Sequence, residues 1–541
     1  MRSILCGLFI SCATAVQVFA TLTPASVFSD HMVLQRDMEV PVWGTASPGE
    51  KITASFAGKS ASAVAGSDGM WRLKLGPLAA NDQPAVLNLS SDKGGSVEIK
   101  DVLVGEVWVG SGQSNMQIWT TSFIGHPTNP MVSTNADLNL QALVDAAPYP
   151  TIRLIASAAN NKPLTPQEIH WTPATKESLT EFSAQLSAMG VELQKQLHVP
   201  VGLMLSAIGG SPSCRWVTPA TLLSDHACQA DVAKAMTTYN PEKEKADYET
   251  ALAKYQTDQA AWEALPADQK VGKKAPNKPN LPVKPGEAMR WAIGDLHDQV
   301  LTPFIGYGIR GVLWDQGESG TFLRGINQHE VMGVLFKSWR QEWGQGAFPF
   351  VLVSKPSGGG CAFDPSDKIN AWCTDPFKPL PSNANGNGKN HDEMASLDKY
   401  PSVFLVPICD LGGGLHPMNK FAYGARDARV ILGTVYSQPL EWSGPLLADS
   451  KVENGKIRLH FSHTKGGLVP SKGEKLQGFA IAGADKKFVW ADAAIQGDDI
   501  LVSAAAIPNP LFVRYAWDGN HPWANLFNAE GLPARPFRTD S

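Results

Sequence analysis

Between about Asp101 and Ser437, short apolar runs alternate with amphipathic helical stretches, and this alternation limits the possible folds more than any other feature of the chain. Leu186, Met189, Leu193 and Leu197 recur at helical spacing, His198-Val199-Pro200 ends that helix, and an apolar strand follows over 201–207. Strands and helices in turn predict a parallel α/β sheet. Four strands run into loops of small or reactive residues. Val107-Trp108-Val109 leads to Gly110-Ser111-Gly112-Gln113-Ser114-Asn115-Met116, and Leu203-Met204-Leu205 to Ser206-Ala207-Ile208-Gly209-Gly210-Ser211-Pro212. Gly311-Val312-Leu313-Trp314 leads to Asp315-Gln316-Gly317-Glu318-Ser319-Gly320. Val403-Phe404-Leu405-Val406 leads, through 407–411, to Gly412-Gly413-Gly414-Leu415-His416-Pro417. In a parallel sheet such loops share the carboxyl edge, where open α/β folds bind ligands. Topology alone therefore gathers a Ser, glycine turns, an amide and a His.

With 541 residues the chain is expected to form more than one domain. Residues 21–103 carry short apolar runs separated by Gly, Pro, Asp and Ser turns, the pattern of a β-sandwich. Residues 104–437 form the α/β part, interrupted at about 241–285 by a charged, Ala-rich helical stretch and a Lys/Pro/Asn tract that read as a solvated insertion. Residues 438–541 return to β patterning, a second sandwich. Residues 1–20 read as a secretory signal, with Arg2 before a short apolar stretch and Val18-Phe19-Ala20 before the cleavage point. The protein is therefore expected to be secreted or periplasmic. In that compartment Cys214–Cys228 and Cys361–Cys373 are expected as disulfides, with Cys409 free. A net charge of −5 gives no reason to expect nucleic acid or a membrane surface as partner.

Ser114, after a strand and a glycine turn, is placed like a nucleophile, although Met116 departs from the G-x-S-x-G elbow. A serine hydroxyl needs a base to take its proton, which assigns His416 that role. An ordinary helix cap at Gln113-Ser114-Asn115 and a structural histidine at 416 are the competing readings. The chain resembles the sialate O-acetylesterase family of the SGNH hydrolases over nearly its whole length. The resemblance is carried by residues 28–36, 40–44, 107–117, 311–319 and 416–420, and by the terminal 531–540. It implies an SGNH α/β catalytic domain flanked by β-sandwiches and hydrolysis of O-acetyl esters on sugars. It carries over Ser114 as nucleophile and His416 as base, with oxyanion donors from the Ser114 backbone, from Gly209 or Gly210, and from an amide of the third loop. Neither metal nor organic cofactor is implied, because acyl transfer by Ser and His needs none.

Two positions depart from the family pattern. Gly320 stands where relatives carry Asn or Asp, and Gln316 is the nearest amide to replace it as an oxyanion donor. Gly413 and Gly414 stand where the triad acid belongs. Loss of that acid costs about 10⁴ in kcat in a serine protease triad. Asp410 is assigned the role because it needs the least chain movement, with Glu318, Asp392 or a bare Ser–His dyad as alternatives. Two readings follow: an esterase acting on acetylated sialic acid or another acetylated sugar or polysaccharide, or a catalytically silent carbohydrate-binding relative.

Overall fold

The computed structural model describes residues 21–127, 135–270, 273–355, 357–367 and 370–540. The expected signal segment, 1–20, lies outside them. Six parallel strands form the centre of the fold: β1 (Ser96–Gly112), β2 (Tyr149–Ala156), β3 (Val201–Ala207), β4 (Gly311–Asp315), β5 (Phe350–Val353) and β6 (Val403–Val406). Their order across the sheet is β2-β3-β1-β4-β5-β6, and Thr172–Ala174 adds an antiparallel edge beside β2. β3, β4 and β5 are buried throughout, as near-continuous apolar strands covered on both faces should be.

Four helices position the site: α1 (Ser114–Gln117), α2 (Ala184–Leu197), α3 (Gln328–Trp343) and α4 (Lys420–Thr434). Leu186, Met189 and Leu193 of α2 join Tyr423 and Ile431 of α4 in one core with Trp108, Leu203 and Leu205. Val331, Leu335 and Trp339 of α3 pack on the opposite face with Val107, Val109 and Val312. Side-chain oxygens of Ser183, Asn327 and Asn419 cap α2, α3 and α4 by accepting Leu186, Glu330 and Ala422 amides. His198 and Gly344 end α2 and α3 in the left-handed conformation.

Two β modules flank this sheet. In the first, Thr23–Pro24, Val40–Thr45 and Met70–Leu75 form a sheet. It shares a core with Lys51–Phe56, Asn81–Ser91 and the start of β1. β1 is a single strand of 17 residues serving both this module and the parallel sheet, so the boundary expected at 103 falls inside one strand. Asp101, at a φ of 52°, marks its bend and is held by Arg153 at 3.0 Å and His31 at 2.6 Å. The C-terminal module pairs two four-stranded sheets around Leu459, Phe479, Ile500 and Val513. In the insertion, the helix Pro241–Ala264 buries none of its residues.

The expected disulfides are not formed. All five described cysteines are free. The sulfurs of Cys361 and Cys373 face different carbonyls, Ala524 O at 3.4 Å and Leu411 O at 3.5 Å. Burial pushes the thiols of Cys214, Cys228 and Cys361 up to about 12, so they sit as protonated, inert packing groups.

Candidate active site

The site begins where β1 ends. Gly112, at a φ of 125°, lies so close to β4 that a Cβ there would stand 2.2 Å from the Asp315 carbonyl oxygen. Only glycine fits that approach, and the chain then turns at Gln113 into α1. Ser114 is the first residue of α1 and is half-buried. His416 comes from the loop between β6 and α4, and its Nε2 lies 3.0 Å from Ser114 Oγ. These two residues, 302 positions apart, form one hydrogen-bonded pair at the carboxyl edge. Gly209 follows β3, and a Cβ built on it would lie 3.6 Å from that of Ser114. The third loop closes the ring: Ser319 N donates to Gln113 Oε1 at 3.3 Å, and Asn115 Nδ2 donates to Glu318 Oε1 at 2.9 Å.

Behind Ser114 lies a charged cluster of which the sequence analysis singles out Glu318 alone, as an alternative triad acid. Lys355 Nζ stands 2.7 Å from both Asp315 Oδ1 and Glu318 Oε1 and donates to Ser357 Oγ at 2.8 Å. Lys420 Nζ, fully buried at the start of α4, donates to Asn115 Oδ1 at 2.8 Å. Burial brings Lys420 down to about 8, while Asp315 works in the opposite direction. Burial also raises the Glu318 carboxyl, but the neighbouring Lys355 ammonium more than offsets this and leaves it below the usual carboxylate range. Asp427, buried in α4 and hydrogen-bonded by Gln185 Nε2 at 2.8 Å, is pushed well up by desolvation. The only sequence signal for this cluster is that its lysines and carboxylates sit at strand ends and at the first position of α4.

Two of the expected site residues have other partners in the structure. Asp410, expected as the triad acid, gives both carboxylate oxygens to Arg426, at 3.2 and 3.0 Å. Arg426 projects from α4, and it claims the carboxylate that the three-glycine loop was expected to fold onto His416. The other two carboxylates weighed for that role also face cations, Glu318 against Lys355 and Asp392 against Arg538 at 2.6 Å. Gln316, expected as an oxyanion donor, is buried with its amide committed: Nε2 donates to Gly320 O at 3.1 Å, and Oε1 accepts from Gln328 at 3.0 Å. Gly209 stands beside Ser114, and its N–H donates to both Gln117 Oε1 and Asn161 Oδ1 at 2.8 Å. Gly210 follows it, exposed, at a φ of 67°.

A cavity of about 520 Å³ opens beside the His416 loop, lined by Gly412, Gly413, Gly414, Glu318, Asp375 and Asn520 among others. Its volume is that of a small-molecule site. Among the described residues no cluster of side chains suits a metal ion.

No protein-family model matches the chain. The sialate O-acetylesterase of Homo sapiens is 22% identical to it over 551 residues, covering 95% of this chain and 91% of that protein. The enzyme of the same name from Mus musculus is 23% identical over 561 residues, covering 95% and 93%. Among solved structures, a carbohydrate acetylesterase from Xanthomonas citri superposes with a TM-score of 0.68 at 27% identity, covering 96% of this chain and 99% of that one. A parallel sheet with a Ser–His pair at its carboxyl edge, in a chain similar end to end to esterases, defines a hydrolase of carboxylic esters. Along nearly its whole length the chain is similar to the sialate O-acetylesterase family.

Proposed function

We propose that this protein is a secreted SGNH-type enzyme that removes acetyl groups from a carbohydrate, with Ser114 as nucleophile and His416 as base. The observation that carries this reading is the 3.0 Å hydrogen bond between His416 Nε2 and Ser114 Oγ. His416 takes the hydroxyl proton as Ser114 Oγ attacks the acetyl carbonyl carbon. The tetrahedral intermediate collapses by breaking the C–O bond to the sugar, and His416 returns the proton to the departing sugar oxygen. Water, deprotonated by the same imidazole, then releases acetate from the acyl-enzyme.

The oxyanion is held by the backbone N–H groups of Ser114 and Gly209. Gly209 already aims its N–H at two neutral amide oxygens, and a charged oxyanion is a stronger acceptor than either. The glycine-lined cavity takes the sugar. Acetylated carbohydrate as substrate is supported by the names of the relatives, which are sialate O-acetylesterases and a carbohydrate acetylesterase. Secretion is supported by the character of residues 1–20. No described helix is long and apolar enough to cross a membrane.

The test compares the parent protein with Ser114→Ala on a chromogenic acetate ester and on an acetylated polysaccharide. Acetate release by the parent, and loss of at least about 10³-fold in the variant, is expected. Equal background rates for both proteins would overturn the catalytic reading in favour of a silent, carbohydrate-binding relative.

A further inference from the structure

Asn115 sits between the two halves of the proposed catalytic pair. It follows Ser114 directly in α1 and is 1% exposed. Its Nδ2 donates to the carbonyl of Leu415, the residue before His416, at 3.2 Å, and to Glu318 Oε1 at 2.9 Å. Its Oδ1 accepts from Lys420 Nζ at 2.8 Å, which fixes which end of the amide faces Leu415. One side chain adjacent to the nucleophile therefore binds the peptide adjacent to the base.

The bonds around Asn115 suit alignment better than bulk stability. Lys420 is enclosed among Asn115, the Phe123 ring at 5.8 Å and the Tyr423 ring at 5.3 Å. Burying a lysine is costly; the carboxylates of Asp315, Glu318 and Asp427 offset part of that cost, while the ammonium hydrogen bond goes to the Asn115 amide and fixes its orientation. Glu318 in turn is set by Lys355, which also faces Asp315 at the end of β4. The chain of contacts thus runs from two strand ends and the first turn of α4 into a single asparagine. Meanwhile Leu415 is 54% exposed, so its side chain contributes little packing to hold the loop.

We propose that Asn115, oriented by Lys420, is a positioning residue that holds His416 in line with Ser114 through the Leu415 carbonyl. This rests on the assignment of Ser114 and His416 as the reacting pair. A displacement of about 1 Å in such a pair costs about 10²-fold in rate.

The decisive variant is Asn115→Asp. It keeps the size of the side chain and its contact with Lys420 but, as a carboxylate, has no hydrogen to donate to Leu415 or Glu318. We expect kcat on a chromogenic acetate ester to fall about 10²-fold with KM within about threefold of the parent. Phosphonylation of Ser114 by a small neutral phosphonate, which needs no sugar contact, is expected to slow by a similar factor. The thermal midpoint is measured alongside to confirm folding. A folded Asn115→Asp protein with kcat and phosphonylation within about threefold of the parent overturns the proposal, as does a change confined to KM. Should Asn115→Asp not fold, Lys420→Met decides: a folded protein with slowed phosphonylation supports the proposal, whereas full activity, or loss of fold here too, assigns the cluster a purely structural role. Ser114→Ala separates the two claims. An active Ser114→Ala protein defeats the assignment of the nucleophile itself, while an inactive one beside a fully active Asn115→Asp defeats only the positioning role.

Discussion

Two buried charge clusters lie along β1, and they are built differently. At its middle, Glu106 is sealed between the N-terminal module and the parallel sheet. Its oxygens accept from Arg36 at 2.5 Å, from Arg310 at 2.7 and 3.2 Å, and from Gln35 at 3.0 Å. Burial alone would raise this carboxyl, but the two guanidinium groups hold it below its ordinary value. Beyond the end of β1, the cluster of Lys355, Lys420, Asp315 and Glu318 is less well satisfied. Asp315 Oδ2 and Asp427 Oδ1 have no hydrogen-bond partner among the described residues, and Asp315 Oδ1 meets the Lys355 ammonium at 2.7 Å. The first arrangement is what a seam needs, with every lone pair engaged by planar donors. The second holds charge in place at some cost in stability, and it does so directly behind Ser114.

The contrast yields four expectations. Glu106→Ala removes the buried carboxylate that Arg36 and Arg310 share and should cost about 3 kcal/mol in urea unfolding, with activity per folded molecule unchanged. A cost below about 1 kcal/mol would mean the seam is held by packing alone. Gly320→Asn acts on the site instead. The φ of 56° at Gly320 is one that Asn accepts, and a Cβ there meets nothing within 4 Å, so the substitution should be tolerated. If this niche faces the oxyanion, kcat should rise by up to about 10², the scale of one donor. An unchanged kcat would show that the niche faces elsewhere.

Asp410→Asn breaks a structural ion pair with Arg426 and is expected to lower stability by about 1–3 kcal/mol while leaving kcat within about threefold. A fall approaching 10⁴ would restore Asp410 as the acid behind His416. The smallest effect concerns pH. Lys420 titrates near 8 in the folded protein, below the ordinary lysine value of 10.5, so the unfolded chain binds more protons between those values. The cost of burying its charge is therefore fully present below pH 8 and is relieved as pH rises towards 10.5. The thermal midpoint of the parent should gain on that of Lys420→Met across this window, and parallel curves would place the titration elsewhere.

How much of this was legible in the sequence depends on range. The four strand-to-loop blocks and the meeting of Ser114 with His416 follow from the topology of parallel strands, which forces such loops to one edge. Partner choice within the edge does not. Asp410 lies six residues before His416, yet Arg426, a full helix turn into α4, claims it. Gln316 carries the right chemistry, yet Gln328 at the start of α3 and the Gly320 carbonyl absorb both ends of its amide. These competitions are settled by where helices pack, which no local pattern reveals. The boundary at 103 was hidden for a related reason: β1 passes from one module to the next without a turn, and its bend is at Asp101, a residue that reads as a strand end. The cysteine pairs were inferred from spacing and compartment, and neither specifies geometry.

The central claim is that Ser114 carries the acetyl group between sugar and water. Quenching the protein in acid during turnover of an acetate ester, followed by mass spectrometry of its peptides, tests this directly. The account predicts an acetyl increment on the peptide that holds Ser114, absent from Ser114→Ala. An acetyl group lodged on a different residue, or acetate released at the parental rate by Ser114→Ala, would contradict it.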